Sequence, residues 1–80
     1  MMEREILDRV RVMTELILLD ERMELVDIEY RRESKGWVLR LTLDKEGGVT
    51  LDDCTRISQE FGRSLDVEDF IQAPYTLEVS

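Results

Sequence analysis

Histidine is absent from all 80 residues of this chain. That removes the usual general base, the usual activator of a nucleophile and the commonest transition-metal ligand together. The single cysteine, Cys54, cannot close an internal disulfide. It falls in the apolar stripe of a predicted helix with no histidine to activate it, so it reads as a small core residue rather than a nucleophile. No apolar run approaches the roughly 18 residues a membrane span needs. The N-terminus also lacks the basic start, long apolar stretch and small-residue cleavage site of a secretory signal. An intracellular, reducing location is the expectation. Bases are scarce too: eleven Lys and Arg against nineteen Asp and Glu give a net charge of −8. Nucleic-acid modules of this size usually carry the opposite excess, which disfavours binding of RNA or DNA by the whole surface.

What remains is an ordinary globular composition, 42% hydrophobic and 38% charged, with one Pro and four Gly. One domain spanning residues 1–80 is expected, with a small core and no walled-off cleft. The charge is uneven. Between Asp44 and Ser80 nine acids meet three bases, which places −6 of the −8 there. The bases gather at Arg31, Arg32, Lys35 and Arg40.

Hydrophobic spacing predicts a first helix from about Glu3 to about Leu19, with Ile6, Val10, Met13 and Ile17 inward and Leu7 beside them. A second stripe, Val12, Leu16 and Leu19, lies almost opposite. It is either a greasy helix face covered by a loop or a docking face for a neighbouring domain, a second copy or a partner. After a charged connection, Asp20 to Glu24, the segment Leu25 to Arg31 alternates. Val26, Ile28 and Tyr30 take the core phase, and Asp27, Glu29 and Arg31 the wet one. Arg32 to Gly36 reads as a hairpin turn. A strand follows, with Trp37, Leu39, Leu41 and Leu43 on one face and Val38, Arg40, Thr42 and Asp44 on the other. Asp27 and Glu29 are expected near Arg40 across the hairpin.

Gly47 and Gly48 break the strand, and Thr50 with Asp53 forms a capping box that starts a second helix. Its stripe is Leu51, Cys54, Ile57, Ser58, Phe61 and Leu65, with Gly62 tolerable if a backbone approaches there. Asp66 to Ala73 has no clean period and reads as a partly apolar loop whose Phe70 and Ile71 could cover the second stripe of the first helix. Pro74 opens a last strand, Tyr75 to Ser80. The fold class expected is α+β: a two-layer αββαβ domain with two helices packed on one face of a three-stranded sheet. The crossover returns the third strand parallel to the second, so it lies either beside the second or next to the first, where all pairs would be antiparallel; the place next to the first is expected.

No residue is assigned a catalytic, cofactor-binding or metal-binding role, and no cofactor is expected. Asp44, Glu46, Asp52 and Asp53 bracket the glycine pair, but their spacing is not that of a calcium loop, and Asp53 already has a capping task. Gly47 and Gly48 precede a helix as phosphate-binding loops do, yet no Lys follows in the phosphate-loop pattern and the flanking acids repel phosphate. The basic hairpin could touch an RNA backbone beside Tyr30 and Trp37, although both aromatics are in phase with the core.

Two stretches, GWVLRLTLDKEGGVTLDDCTRIS from Gly36 to Ser58 and LDVEDFIQAPYTLEVS from Leu65 to Ser80, resemble the N-terminal domain of the bacterial ribosome maturation factor RimP. ELVDIEY, from Glu24 to Tyr30, adds a third block. Phe70 stands where that family commonly has Pro, Ala73 where it commonly has Gly, and the connection before Glu24 lacks a frequent Gly. The resemblance implies a non-enzymatic, cytoplasmic, two-domain assembly factor for the small ribosomal subunit. Its second domain would be a Sm-like barrel reached through a Ser-Pro-Gly connection, and this chain would be one domain of it, ending at Ser80. It also implies binding to the assembling subunit through a small-subunit ribosomal protein.

Two functional readings follow. In the first, the acidic second half, with Asp66, Glu68 and Asp69 as contact candidates, meets a basic ribosomal protein. In the second, Arg31, Arg32 and Lys35 at the hairpin contact ribosomal RNA.

Overall fold

A computed structural model describes residues 2–80. Helix α1 spans Glu3–Leu18, strands β1 and β2 span Glu24–Glu33 and Gly36–Asp44, helix α2 spans Leu51–Glu68, and strand β3 spans Tyr75–Val79. The chain is therefore αββαβ, as its hydrophobic periods predict. Ile6 and Val10 of α1 and Phe61 and Leu65 of α2 share one core with Ile28, Tyr30, Leu39 and Leu41 of the sheet, so both helices lie on the same sheet face. Leu18, Met23, Leu43 and Ile57 form a smaller cluster.

The sheet order is β1-β2-β3, with β1 antiparallel and β3 parallel to β2. This overturns the expectation that β3 lies beside β1. The β2-α2-β3 unit is an ordinary parallel crossover with adjacent strands, and the strand it leaves in the centre is the most buried of the three. Because β2 has a neighbour on each edge, Val38 is only 1% exposed although it points away from the helices, lying in register between Arg31 and Thr76. The outer face is thus not uniformly wet.

A second correction concerns the start of β1. The register slips between Leu25 and Asp27, so Leu25 pairs with Leu43 and Asp27 with Thr42. Val26 is the bulged residue and is 58% exposed, while Leu25 takes the core side in its place. A bulge adds one residue to one strand and so reverses the parity of everything before it, which strict alternation cannot foresee. The hairpin reversal itself is Ser34 and Lys35, shorter than predicted, with Gly36 at φ 114° supplying the positive angle that a side chain would resist.

The helices also differ in detail. In α1 the buried positions are Ile6, Val10, Thr14 and Leu18, while Met13 and Ile17 are half-buried. Thr14 escapes a hydrophobic count because its hydroxyl donates to the Val10 carbonyl at 2.7 Å, which hides its polarity. In α2 Leu51 is 86% exposed rather than part of the stripe, because it is the first helical residue and lies a turn below Cys54. The helix runs on to Glu68, through residues expected to be loop, and stops at Asp69, which adopts the left-handed region at φ 46°, ψ 45°. Arg22 does the same at φ 57° in the connection where the glycine is missing.

Nothing lies within 4 Å of a Cβ built on Gly62, so no close backbone approach explains that residue. Gly62→Ala is therefore expected to stabilise the domain by about 1 kcal/mol, by helix propensity and reduced unfolded-state entropy. Its melting temperature should rise by roughly 4–8 °C. An unchanged or lower melting temperature would mean the site is more constrained than its open surroundings indicate.

Candidate partner-binding surface

The capping box predicted at α2 is present in full. The Asp53 amide donates to Thr50 Oγ1 at 3.1 Å, and the Thr50 amide donates to Asp53 Oδ2 at 3.0 Å. Lys45 Nζ lies 2.7 Å from the same carboxylate, and Arg56 lies 3.0 Å from its other oxygen while reaching Glu21 at 2.7 Å. The Lys45 hydrogen bond first, then the Thr50 amide, hold the Asp53 carboxyl well below the usual carboxylate range. Asp44 accepts a hydrogen bond from the Lys45 amide. Asp44 and Asp53 thus serve the turn and the helix start, and among the described residues no group of three or more His, Cys, Asp or Glu is arranged to hold a metal ion. Cys54 is partly buried on α2.

On the outer sheet face Arg40 joins all three strands. It contacts Glu78 of β3 at 2.8 Å, Glu29 of β1 at 3.7 Å and Glu33 at 3.6 Å. Asp27, expected here with Glu29, lies two positions along the same register, opposite Thr42, and makes no ion pair with Arg40 among the described residues. The hydrogen bond from Arg40 lowers the Glu78 carboxyl below its ordinary value. The same network reaches the hairpin: Arg31 pairs with Glu29 at 2.8 Å and Lys35 with Glu78 at 3.7 Å. Of the predicted basic trio, only Arg32 has no ion pair among the described residues. Tyr30 and Trp37 stack on each other, ring centroids 4.7 Å apart, instead of standing free for bases.

The acidic trio is arranged differently. Asp66, Glu68 and Asp69 are all exposed at the C-terminal end of α2, and among the described residues none of them has an ion-pair partner. The last turn of α2 contains no base. Three carboxylates therefore add to the negative end of a helix dipole, an arrangement that disfavours the isolated helix.

Beside them lies the stripe of α1. Val12, Leu16 and Leu19 are 59%, 63% and 73% exposed, so Phe70 and Ile71 do not cover them. Those two side chains enter the main core instead, where the Arg9 guanidinium sits 5.5 Å from the Phe70 ring centroid. Val12 and Leu16 line one groove between α1 and the end of α2, while Leu19 belongs to a separate recess with Leu18, Arg22 and Met23. The sequence reading missed Val67 and Arg63 on this surface, while Phe70, expected beside the stripe, lines the groove from its floor without covering Val12 or Leu16. Reading the helix through Asp66 to Glu68 would have placed Val67 beside Arg63 on the outward face.

Fold and surface together define a small two-layer α+β domain with an exposed apolar groove between its helices and an uncompensated acidic helix end. The chain belongs to the RimP N-terminal domain family, which matches residues 5–80. That family is one of ribosome maturation factors acting on the small subunit.

Proposed function

We propose that this chain is a non-enzymatic, cytoplasmic binding domain of a small-subunit maturation factor, and that it acts by holding a basic small-subunit ribosomal protein, alone or within the pre-subunit. In this reading residues 1–80 are one domain of a two-domain protein whose own C-terminal, Sm-like domain completes it. The observation that carries the proposal is the acidic end of α2: Asp66, Glu68 and Asp69 are exposed and unpaired among the described residues where the helix dipole is already negative. A cationic partner relieves that repulsion on binding, so complementarity there improves both orientation and encounter rate. The RNA reading through Arg31, Arg32 and Lys35 has less to draw on, because Glu29 and Glu78 already neutralise two of the three.

The test is co-sedimentation of the chain with isolated small subunits. Asp66→Asn, Glu68→Gln and Asp69→Asn together should weaken binding by roughly tenfold at low salt while slightly raising the melting temperature of the free domain. Unchanged affinity at low salt would sink the proposal. A loss of binding in Arg31→Ala, Arg32→Ala and Lys35→Ala instead, with a shallower salt slope for RNA, would transfer the function to the hairpin.

A further inference from the structure

The groove between the helices has apolar walls from two separate elements. Val12 and Leu16 stand one turn apart on α1, and Val67 on α2 is 85% exposed. Half-buried Met13 and Ile17 and the buried Phe70 complete the lining, and the space is about 900 Å³, large enough for several side chains and far beyond a single ion. Asp8, Arg9, Arg63 and Glu68 stand at its edges in balance, but Asp66 and Asp69 add to one end only, at the negative terminus of α2.

We propose that this groove seats an amphipathic helical segment of a basic protein, its apolar side chains entering between α1 and α2 and its Lys or Arg residues lying toward Asp66, Glu68 and Asp69. The inference rests on the protein-binding reading above and gives that partner an apolar anchor as well as a charge match. Helix-in-groove recognition uses such a pattern, with apolar side chains at successive turns of the ligand entering a cleft between host helices. The charge distribution selects the occupant. A second copy of this chain carries −8 of its own and would bring its own acidic helix end against this one, whereas a cationic helix neutralises the acids that have no partner in the free domain. The apolar contacts supply the part of the affinity that salt does not screen.

The probe is a synthetic helix with Leu on one face at helical spacing and Lys on the other, compared with its counterpart in which Glu replaces Lys. The Lys helix should shift the backbone amide resonances of Val12, Leu16 and Val67, and the Glu helix should not. Leu16→Glu with Val67→Asp should raise the Kd for the Lys helix by roughly tenfold or more. Both sites are exposed, and the milder pair Leu16→Gln with Val67→Thr checks that any loss is not misfolding. Shifts mapping elsewhere, equal binding of the Glu helix, or an unaffected Kd in folded variants would overturn the proposal. So would a dimer in sedimentation equilibrium that Leu16→Glu abolishes, which would assign the groove to a second copy. Small-subunit binding separates the two layers of the argument. Retention by the groove variants with loss in the acidic-end variants refutes the groove alone, and retention by both sets refutes the protein-binding reading too.

Discussion

Replacing Phe61 by alanine should bring the domain close to unfolding at ordinary temperature. The Phe61 ring is fully buried and touches both layers, sharing a cluster with Ile6 and Val10 of α1 and Leu39 and Leu41 of β2. Truncating a buried Phe costs about 3–5 kcal/mol, the lost transfer energy plus a cavity that the neighbours fill only in part. A domain of 80 residues has roughly 4–12 kcal/mol in total, so one side chain accounts for a large share of it. The melting temperature should fall by on the order of 20 °C, with Phe61→Leu far milder. A loss below about 1.5 kcal/mol in urea unfolding would show that the core collapses around the gap.

The second large effect is at Asp53, and its signature is a pH dependence. Asp53→Asn keeps an oxygen that can accept the Thr50 amide, so the cap geometry survives. It removes the charge that meets Lys45 at 2.7 Å and Arg56 at 3.0 Å. In the folded chain the Asp53 carboxyl is held well below its ordinary value of 3.8, chiefly by the Lys45 hydrogen bond. A carboxyl whose folded pKa is depressed contributes stability that is fully present above the unfolded value. That stability is lost progressively as pH falls through 3.8 toward the folded value. The variant should therefore be less stable than the parent from about pH 6 upward, with the gap closing below about pH 4. A gap of constant size across that range would mean that shape, not charge, makes Asp53 matter. Thr50→Ala separates the cap alone and should cost about 1 kcal/mol with little pH dependence.

The two predictions also show which features a sequence can reveal. The capping box was legible because Thr50 and Asp53 are three residues apart and their hydrogen bonds need no distant partner. Phe61 was legible as core because its helical period is local as well. Lys45 at the same carboxylate was not, since its side chain reaches Asp53 only once the Gly47-Gly48 turn has folded the strand end back on the helix, and neither was the link from Arg56, itself a local helical neighbour of Asp53, to the distant Glu21. On the binding surface, the exposure of Val12 and Leu16 was posed as an open choice, and the structure decided it by sending Phe70 and Ile71 into the core.

By itself the sequence determined the elements, their order, the inward faces of both helices and of β2, and a family resemblance that the match over residues 5–80 bears out. Each of these rests on period, turn chemistry or motif, which act over a few neighbouring residues. Only tertiary structure decided that β2 is central with β3 beside it, that Val26 is bulged outward, and that Arg40 ties three strands through Glu29, Glu33 and Glu78. The groove of Val12, Leu16 and Val67 belongs with these, because its walls come from helices about fifty residues apart in the chain. No local pattern encodes the distance between two helices; the packing of both on one sheet does.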